Sequence, residues 1–362
     1  MKKIIHIHPA FSIGGIEAMI VNLANEMSKS CDTTVCSIYA VTQQHVLWHK
    51  LSSIIKRASL NKTKAGFSLR EVFRVYFFLK KNKYDVVYLH GTIQYYLVAI
   101  FLLWKKMKFV YTVHSDAQKE NSGWGNRLFV LKRFFFRKGW VTPVTISNSS
   151  KESFYELYGC NSELICNGIV QSKASQEPII IKEIRQNSKT KIFIHPARIT
   201  EAKNQLVLCK VFNRLIMEAN DIYLIIAGPN DDKKIYNEIK KYFSDRIRYI
   251  GASDEIIDLL SYSDALCLPS IWEGLPVVLL EAMSQGCVPI CSPVGGMNDI
   301  VKHQKTGILS KSSKEQDYYN AVKLYLSMTH EEQKAISEHC KAKATEYSIE
   351  ECAIKYINLI SK

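Results

Sequence analysis

Short apolar segments alternate with amphipathic segments of helical period along most of this chain. Five apolar segments in the first half predict β-strands, at residues 3–8, 34–38, 85–89, 109–114 and 144–147. Between the first two, apolar residues recur at helical spacing at Ile16, Met19, Ile20, Leu23 and Met27. This part of the sequence therefore predicts strands that alternate with helices.

The second half repeats the same alternation. Its predicted strands are residues 191–196, 222–227, 247–250, 265–268 and 288–291, and its predicted helices are 204–219, 234–243, 255–262 and 276–285. After Gly307 the pattern is helical, at 314–328, 331–347 and 348–360. A polar stretch at 171–190 separates the halves, and we interpret it as a linker.

Continuous apolar strands between amphipathic helices are typical of parallel sheets covered on both faces. The predicted fold class is therefore α/β, with two doubly wound, Rossmann-like domains facing across a cleft. We place the first domain at residues 1–172 and the second at 173–347, and expect a final helix at about 348–362 to pack back onto the first. Ligands of such sheets bind beyond the carboxyl ends of the strands.

Charge divides the chain unevenly. The net charge is +14, and residues 1–170 hold 23 Lys and Arg against 10 Asp and Glu, whereas residues 171–362 hold 25 against 24. The cations accompany aromatic residues in three runs, at 73–83, 101–109 and 127–140. Such runs favour contact with an anionic membrane surface. Core helices with snorkelling cations are the structural alternative, and nucleic-acid binding is disfavoured because no recognition motif accompanies the charge.

The longest apolar run has ten residues, Tyr95 to Trp104, and is too short to span a membrane. The first residues read as a strand and a loop, not as a signal peptide. None of the ten cysteines forms a C-x-x-C pair, which favours reduced, buried thiols. We therefore expect a cytoplasmic protein that binds peripherally to the inner face of the cytoplasmic membrane.

The stretch from Glu273 to Glu281 carries the most specific candidate chemistry. Glu273 follows a predicted strand, and Gly274, Leu275 and Pro276 open a predicted helix whose free N–H groups favour an anion or polar oxygen. Glu281 lies in an apolar helix, where its carboxylate needs a partner such as the paired hydroxyls of a ribose. Its structural alternative is a solvent-facing carboxylate.

Two cations flank another strand-to-helix turn. Arg198 ends the strand KIFIHPAR, and Lys203 begins the next helix. Cations so placed can bracket a diphosphate through charge-assisted hydrogen bonds. A solvated surface pair is the structural alternative.

Gly14 and Gly15 lie between the first strand and the first helix, where small residues let backbone N–H groups approach a phosphate. The dinucleotide fingerprint G-x-G-x-x-G and the P-loop pattern are both absent from the sequence. His114 ends the strand KFVYTVH, where an imidazole can donate or accept a hydrogen bond. No metal-binding motif occurs, so we predict no essential metal and no cofactor.

Together these motifs resemble the GT-B-fold retaining glycosyltransferases of group 1, family 4, a group that includes bacterial capsule and lipopolysaccharide sugar transferases. The resemblance covers essentially the whole chain, and its most specific part is the E-x7-E motif from Glu273 to Glu281. Weaker matches are GGIEAMIVNLANEM, ICNGI and PARITEAKN. The chain departs from the family pattern at Ala197, at Ser115 between His114 and Asp116, and at Asp299.

The resemblance implies a role for each candidate residue. Arg198 and Lys203 would hold the donor diphosphate, Glu281 the nucleotide ribose, and Glu273 with Gly274, Leu275 and Pro276 the donor sugar hydroxyls. His114 would contact the sugar and phosphate, and Gly14 and Gly15 the phosphates. His114, Glu273, Arg198 and Lys203 are thus the candidate catalytic residues.

The implied function is retaining transfer of a sugar from a nucleotide-diphosphate sugar, with UDP the commonest nucleotide, to a glycan or polyprenyl-diphosphate-linked acceptor in surface-polysaccharide synthesis. Two fixed cations and a helix N-terminus would stabilise the leaving diphosphate in place of a metal. The alternatives are a nucleotide-sugar epimerase or sugar phosphorylase on the same fold, and a non-catalytic nucleotide-sugar binder.

Overall fold

A computed structural model of the protein describes residues 1–43, 45–64, 66–91, 93–121, 128–185, 190–218 and 221–361. Arg127 of the third basic run, residues 186–189 of the predicted linker and Ala219 of a predicted helix lie outside the described residues. The chain divides into two compact units, one formed by Met1–Ile169 with Ile349–Lys362 and the other by Val170–Ser348.

The first unit contains a parallel sheet with the strand order β3-β2-β1-β4-β5-β6-β7. Its strands are β1 (Lys3–His8), β2 (Asp32–Tyr39), β3 (Lys56–Lys62), β4 (Val86–His90), β5 (Lys108–Val113), β6 (Val141–Thr145) and β7 (Glu163–Leu164). Its described helices are α1 (Gly15–Met27), α2 (Val46–His49), α3 (Leu69–Asn82), α4 (Leu97–Leu103), α5 (Ala117–Glu120), α6 (Phe129–Arg137) and α7 (Asn148–Tyr158).

The second unit contains a parallel sheet with the order β10-β9-β8-β11-β12-β13. Its strands are β8 (Lys191–Pro196), β9 (Ile222–Ala227), β10 (Ile247–Tyr249), β11 (Ala265–Leu268), β12 (Val288–Cys291) and β13 (Ile308–Leu309). Its described helices are α8 (Ile179–Ile184), α9 (Gln205–Met217), α10 (Lys233–Ile239), α11 (Ile256–Ser261), α12 (Val277–Gln285), α13 (Met297–Ile300), α14 (Glu315–Ser327) and α15 (His330–Ala344). The predicted fold class, two doubly wound parallel sheets, is confirmed.

A last helix, α16 (Ile349–Ser361), belongs to the first unit. The backbone N–H of Ile349 donates to the carbonyl of Ile169 at 2.9 Å. Tyr356 is buried, and its carbonyl accepts from Tyr88 on β4 at 3.0 Å, while its hydroxyl lies 3.1 Å from that of Thr112 on β5. The helix therefore closes the core of the first unit against two central strands.

The structure corrects three parts of the sequence analysis. The stretch interpreted as a linker contains α8, whose Ile181 and Ile184 are buried. Strand β3 was not predicted, because it lies at the sheet edge and its sequence KRASLNK is mostly polar. The short strands β7 and β13 were also missed. None of the described helices is both long enough and apolar enough to cross a bilayer.

Gly228 closes the carboxyl end of β9 in a conformation that L-residues avoid. Its φ is +140°, and a Cβ there would overlap the carbonyl oxygen of Ala197 after β8. Its N–H donates to the carbonyl of Gly251, which follows β10, at 2.7 Å. Gly251 also has a positive φ, of +72°, but open space where a Cβ would stand. Comparing substitutions at the two glycines therefore separates the cost of backbone strain from the cost of steric overlap.

We expect Gly228→Ala to lower the free energy of unfolding by about 3 kcal/mol or more, since strain and overlap add. Gly251→Ala, the matched control, should lower it by only about 1 kcal/mol, because only the left-handed conformation opposes it. Urea unfolding followed by circular dichroism measures both. Equal losses in the two variants would contradict this account.

Candidate functional site

The second unit places its candidate residues where the strand order reverses. Strand β8 lies between β9 and β11, so the chain continues to one side of β8 after its first crossover and returns to the other side at β11. Ligands of doubly wound sheets bind at this reversal, beyond the carboxyl ends of the strands. The loops after β8 and β11 carry Arg198, Lys203 and Glu273.

A short ion pair joins these two loops. Lys203 Nζ lies 2.5 Å from Glu273 Oε1, and the hydroxyl of Ser270 donates to the same oxygen at 2.7 Å. The Glu273 side chain is 9% exposed and that of Lys203 is 22% exposed, so water screens the pair only weakly. The structure therefore brings together two of the predicted residues and adds Ser270, which sequence analysis missed.

Hydrogen bonds to backbone carbonyls hold the two loops in place. Asn204 adopts a left-handed conformation, with φ +57°, and its side-chain amide donates to the carbonyls of Pro269 and Ser313 at 3.0 and 2.9 Å. The N–H of Ile271 donates to the carbonyl of Ala202 at 2.8 Å. The Lys203–Glu273 pair is consequently fixed from both sides.

A third loop, after β12, packs behind Glu273. The N–H of Gly296 donates to the carbonyl of Gly274 at 2.5 Å. Gly295 has a φ of +56°, and a Cβ there would overlap the carbonyl oxygens of Glu273 and Gly274. This contact needs a glycine, and it holds the Glu273–Gly274 backbone in place.

Helix α12 begins directly after this backbone. Gly274, Leu275 and Pro276 are buried, and Pro276 occupies the N-cap position, so the helix starts one residue later than predicted. No side chain of the described residues caps this N-terminus. Glu281 is half-buried, in the second turn of the same helix. The E-x7-E motif thus spans one loop and the first two turns of one helix.

Arg198 does not join the Lys203–Glu273 pair. Its guanidinium is about half exposed and lies 3.4 Å from the carboxylate of Asp231, which follows β9. The carbonyl of Arg198 accepts from the buried amide of Gln205 at 2.8 Å, which fixes its backbone. Exposed ion pairs of this kind contribute about 0–1 kcal/mol, so Arg198 can change partner at little cost.

The first unit has its own reversal of strand order at β1, which lies between β2 and β4. Strand β1 ends at His8 and β4 at His90, and His114 follows β5 directly. His6 Nδ1 lies 3.2 Å from His90 Nε2, and His90 Nδ1 lies 3.0 Å from His114 Nε2. The predicted strands place all three histidines at or near strand ends, but the hydrogen-bonded chain that they form was not predicted.

Burial makes these three imidazoles neutral at neutral pH. Loss of hydration lowers the pKa of His6 and of His114 to about 3, and lowers that of His90 well below its usual value. His195 on β8 behaves similarly: burial lowers its pKa to about 4, and its Nδ1 lies 2.7 Å from the carbonyl of Cys267.

The turn at Gly14 and Gly15 carries a carboxylate. Gly14 is extended at the N-cap of α1, and Gly15 is the first residue of the helix. The carboxylate of Glu17 lies against Gly14, accepts from the Ser12 hydroxyl at 3.3 Å, and stands 3.6 Å from His8 Nε2. Glu17 was not among the predicted site residues, although a negative charge is favourable at this helix terminus.

Glu120 and Asp116 shape the loop that follows β5. The backbone N–H of His114 donates to Glu120 Oε1 at 2.6 Å, and burial raises the pKa of Glu120 to about 7. Asp116 caps α5 by accepting from the N–H groups of Gln118 and Lys119. Its carboxylate therefore has a local structural role. Among the described side chains, no group of three or more His, Cys, Asp or Glu is arranged to hold a metal ion.

Two family models match successive parts of the chain. Residues 13–173 match the model described as Glycosyltransferase Family 4, and residues 176–343 match the model described as Glycosyl transferases group 1. The two matches meet near the boundary between the compact units.

Curated relatives and solved structures agree with these matches. A UDP-Gal:α-D-GlcNAc-diphosphoundecaprenol α-1,3-galactosyltransferase of Escherichia coli is 29% identical over 70% of this chain and 69% of its own. A Campylobacter jejuni N-acetyl-D-galactosaminyltransferase, named for an undecaprenol-linked glycan, is 22% identical over 100% of this chain and 99% of its own. Anabaena HepE in complex with UDP and glucose superposes with a TM-score of 0.83 at 17% identity, over the whole of both chains.

Because these histidines are buried and neutral, we expect the free energy of unfolding to fall at acidic pH. A group whose pKa falls on folding gives stability that is present above its unfolded pKa, near 6.5, and is lost as the pH falls towards its folded pKa. Between pH 7.5 and 5.0 each such histidine should remove about 2 kcal/mol from the free energy of unfolding. Urea titrations measured by tryptophan fluorescence test this, since Trp48, Trp104 and Trp140 belong to the first unit.

In this titration His6→Phe should reduce the acid-induced fall in the free energy of unfolding by about 2 kcal/mol, the contribution of one histidine. The control His49→Asn should leave the loss unchanged, because that side chain is exposed. Equal stability of the wild type at the two pH values would show that these imidazoles are not buried as described.

Proposed function

The chain is a group 1 glycosyltransferase with the GT-B fold, and we propose that it transfers a sugar, with retention, from a UDP-sugar to a glycan or lipid-linked acceptor. The observation that carries the proposal is the Lys203–Glu273 pair at the strand reversal of the second unit. The names of the relatives support the substrate classes, since the E. coli enzyme is named for UDP-Gal and a diphosphoundecaprenol acceptor. We place the reaction in cell-surface polysaccharide synthesis.

In the proposed donor complex, Lys203 and Arg198 hold the diphosphate. Lys203 is fixed by its carboxylate partner, and Arg198 is free to leave its exposed pair with Asp231. Hydrogen bonds from such cations to phosphate oxygens are among the stronger ones in proteins. The diphosphate charge is thereby balanced by side chains of the protein itself.

Glu273 is assigned to the hydroxyls of the donor sugar. Both hydrogen bonds described above, from Lys203 and Ser270, fall on Oε1, which leaves Oε2 to accept from a sugar hydroxyl. The backbone of Gly274 to Pro276 and the N-terminus of α12 offer further polar groups, and Glu281 is assigned to the ribose. In the first unit, His114 is assigned to the sugar and phosphate, and Gly14 and Gly15 to the phosphate.

The proposed mechanism follows from charge. As the bond between the anomeric carbon and the diphosphate oxygen breaks, negative charge grows on the leaving group and positive charge on the sugar. Fixed cations and a helix N-terminus stabilise the leaving group without reorganisation, in place of a divalent ion. The acceptor oxygen attacks the same face of the sugar, and its proton passes to the leaving phosphate oxygen. Glu273 is not the nucleophile, because sugar binding occupies its carboxylate.

We also propose that the first unit docks on an anionic membrane surface. Helix α3 packs on α4, and Trp140 contacts Phe101 of α4 and Phe134 of α6, so the three helices form one continuous face. This helix face exposes seven large apolar side chains: Leu69, Phe73, Phe77, Phe101, Leu102, Val130 and Phe134. The first, second and third basic–aromatic runs thus meet in space.

Cations border the same face. Lys80 and Lys81 end α3, Lys105 and Lys106 follow α4, and Arg137 and Lys138 end α6. Apolar side chains that enter the interface, beside cations that attract anionic headgroups, are the two components of peripheral binding. A lipid-linked acceptor would be reached from such a position.

The donor site predicts specific losses of activity. Lys203→Ala and Glu281→Ala should each lower kcat/KM for the donor at least tenfold, or about 1.4 kcal/mol, because each removes a charged partner of the nucleotide sugar. Lys210→Ala is the matched control, since Lys210 lies in the middle of α9 and, among the described residues, forms its ion pair with the exposed Glu315. Transfer assays with a panel of nucleotide sugars measure the three variants.

The same panel of nucleotide sugars tests which nucleotide the protein binds and whether transfer requires a divalent metal ion. UDP and a UDP-sugar should raise the melting temperature of the wild type but not that of Lys203→Ala, because ligand binding stabilises the folded state. Transfer should continue in EDTA. Wild-type rates in both donor-site variants would overturn the site, and activity that EDTA abolishes and manganese restores would overturn the role of the cations.

The membrane proposal is tested by vesicle co-sedimentation. Replacing Phe73 and Phe77 by Ser should weaken binding to phosphatidylglycerol vesicles by about tenfold, since both rings leave the interface. Met217→Ser is the control, because Met217 is also apolar and exposed but lies in the second unit. Binding should fall at high salt. A wild-type protein that does not bind anionic vesicles would contradict the membrane proposal.

A further inference from the structure

The two hydrogen bonds that join His6, His90 and His114 cannot be oriented independently. Burial keeps all three rings neutral, so each carries one N–H. His90 takes part in both hydrogen bonds, through Nε2 to His6 and through Nδ1 to His114. It therefore donates in one and accepts in the other. Both N–H groups point towards His114, or both point towards His6.

The His6 end of this row of three histidines decides between the two hydrogen-bond directions. His6 Nε2 is buried and has no hydrogen-bond partner among the described residues. The His6 ring stacks on Tyr88, with ring centroids 4.7 Å apart. Were both N–H groups to point towards His6, its own N–H would lie on this unpartnered nitrogen. A buried N–H without an acceptor is rarer than a buried lone pair without a donor.

The His114 end follows from the same direction. If both N–H groups point towards His114, its Nε2 accepts from His90 and carries no proton. The single proton of a neutral His114 then lies on Nδ1.

We propose that His6 and His90 are positioning residues that hold His114 as its Nδ1–H tautomer. His6 Nδ1–H donates to His90 Nε2, and His90 Nδ1–H donates to His114 Nε2. His114 then presents a hydrogen-bond donor, suited to an anionic or hydroxyl oxygen. This last step rests on the proposed function, in which His114 contacts the donor sugar and phosphate, whereas the tautomer itself does not.

Long-range 15N–1H correlation spectra of the full chain at pH 7.5 test the tautomer, with His114 assigned by the loss of its signals in His114→Asn. The Nδ1–H form should exceed the Nε2–H form by about tenfold or more, because the reverse chain leaves a buried donor unpaired. A His114 that carries its proton on Nε2 would overturn the proposal, whatever the activity.

Variants of His6 test the relay. His6→Phe preserves a ring that can stack on Tyr88 but removes the donor to His90. His90 Nε2 then faces an apolar ring, where a lone pair is favoured over an N–H, so His114 should keep its Nδ1–H form. His6→Asp places a carboxylate oxygen, which only accepts, near the former Nδ1; it should draw the N–H of His90 to Nε2 and convert His114 to the Nε2–H form. The control His49→Asn should not change the His114 signals. A His6→Asp spectrum with the wild-type tautomer would overturn the relay; if that variant does not fold, the wild-type and His6→Phe spectra still decide.

Kinetics separate the relay from the proposed function. If His114 donates to the sugar donor, kcat should follow the Nδ1–H fraction, falling about tenfold in His6→Asp and staying near the wild-type value in His6→Phe. A tautomer that shifts while kcat stays constant would support the relay and contradict the role assigned to His114. A constant tautomer with altered kcat would contradict the relay alone.

Discussion

The ion pair between Lys203 and Glu273 is the interaction on which the proposed chemistry of the second unit depends. A lysine alone beside a diphosphate would be mobile, and a carboxylate alone would repel it. Paired, each holds the other at the point where the strand order reverses, and Ser270 and Asn204 fix the loops that carry them. The backbone contact of Gly295 and Gly296 with Glu273 and Gly274 completes this support.

The first unit has the same sheet geometry, but the groups at its strand ends differ in charge. Its strand ends carry imidazoles made neutral by burial, and its helix N-terminus carries Glu17. In the proposed donor complex, the second unit offers its ion-paired cations Lys203 and Arg198 to the diphosphate, whereas the first unit offers directed hydrogen bonds of low charge. Such a division suits a reaction whose leaving group is a dianion and whose other component is a sugar.

Much of this could be predicted from the sequence, because local patterns determined it. The strands Lys191–Pro196, Ala265–Leu268 and Val288–Cys291 were predicted to the residue, since each carries a short run of apolar residues before a turn. The E-x7-E motif was found because its spacing is local. By contrast, the pairs Arg198–Asp231 and His6–His90 join residues 33 and 84 positions apart. The sheet order sets those contacts, and β3 was missed because an edge strand needs no apolar alternation.

The closing of the first core by α16 has a consequence for how the protein is made. Thr112 and Tyr356 are in contact across 244 positions of sequence, and the whole second unit is synthesised between them. At about 5–20 residues per second, a ribosome needs roughly ten seconds or more to cover that interval. During this interval the apolar surface around Tyr88 stays exposed to solvent. Chaperones can therefore bind the nascent first unit until α16 has left the ribosomal exit tunnel.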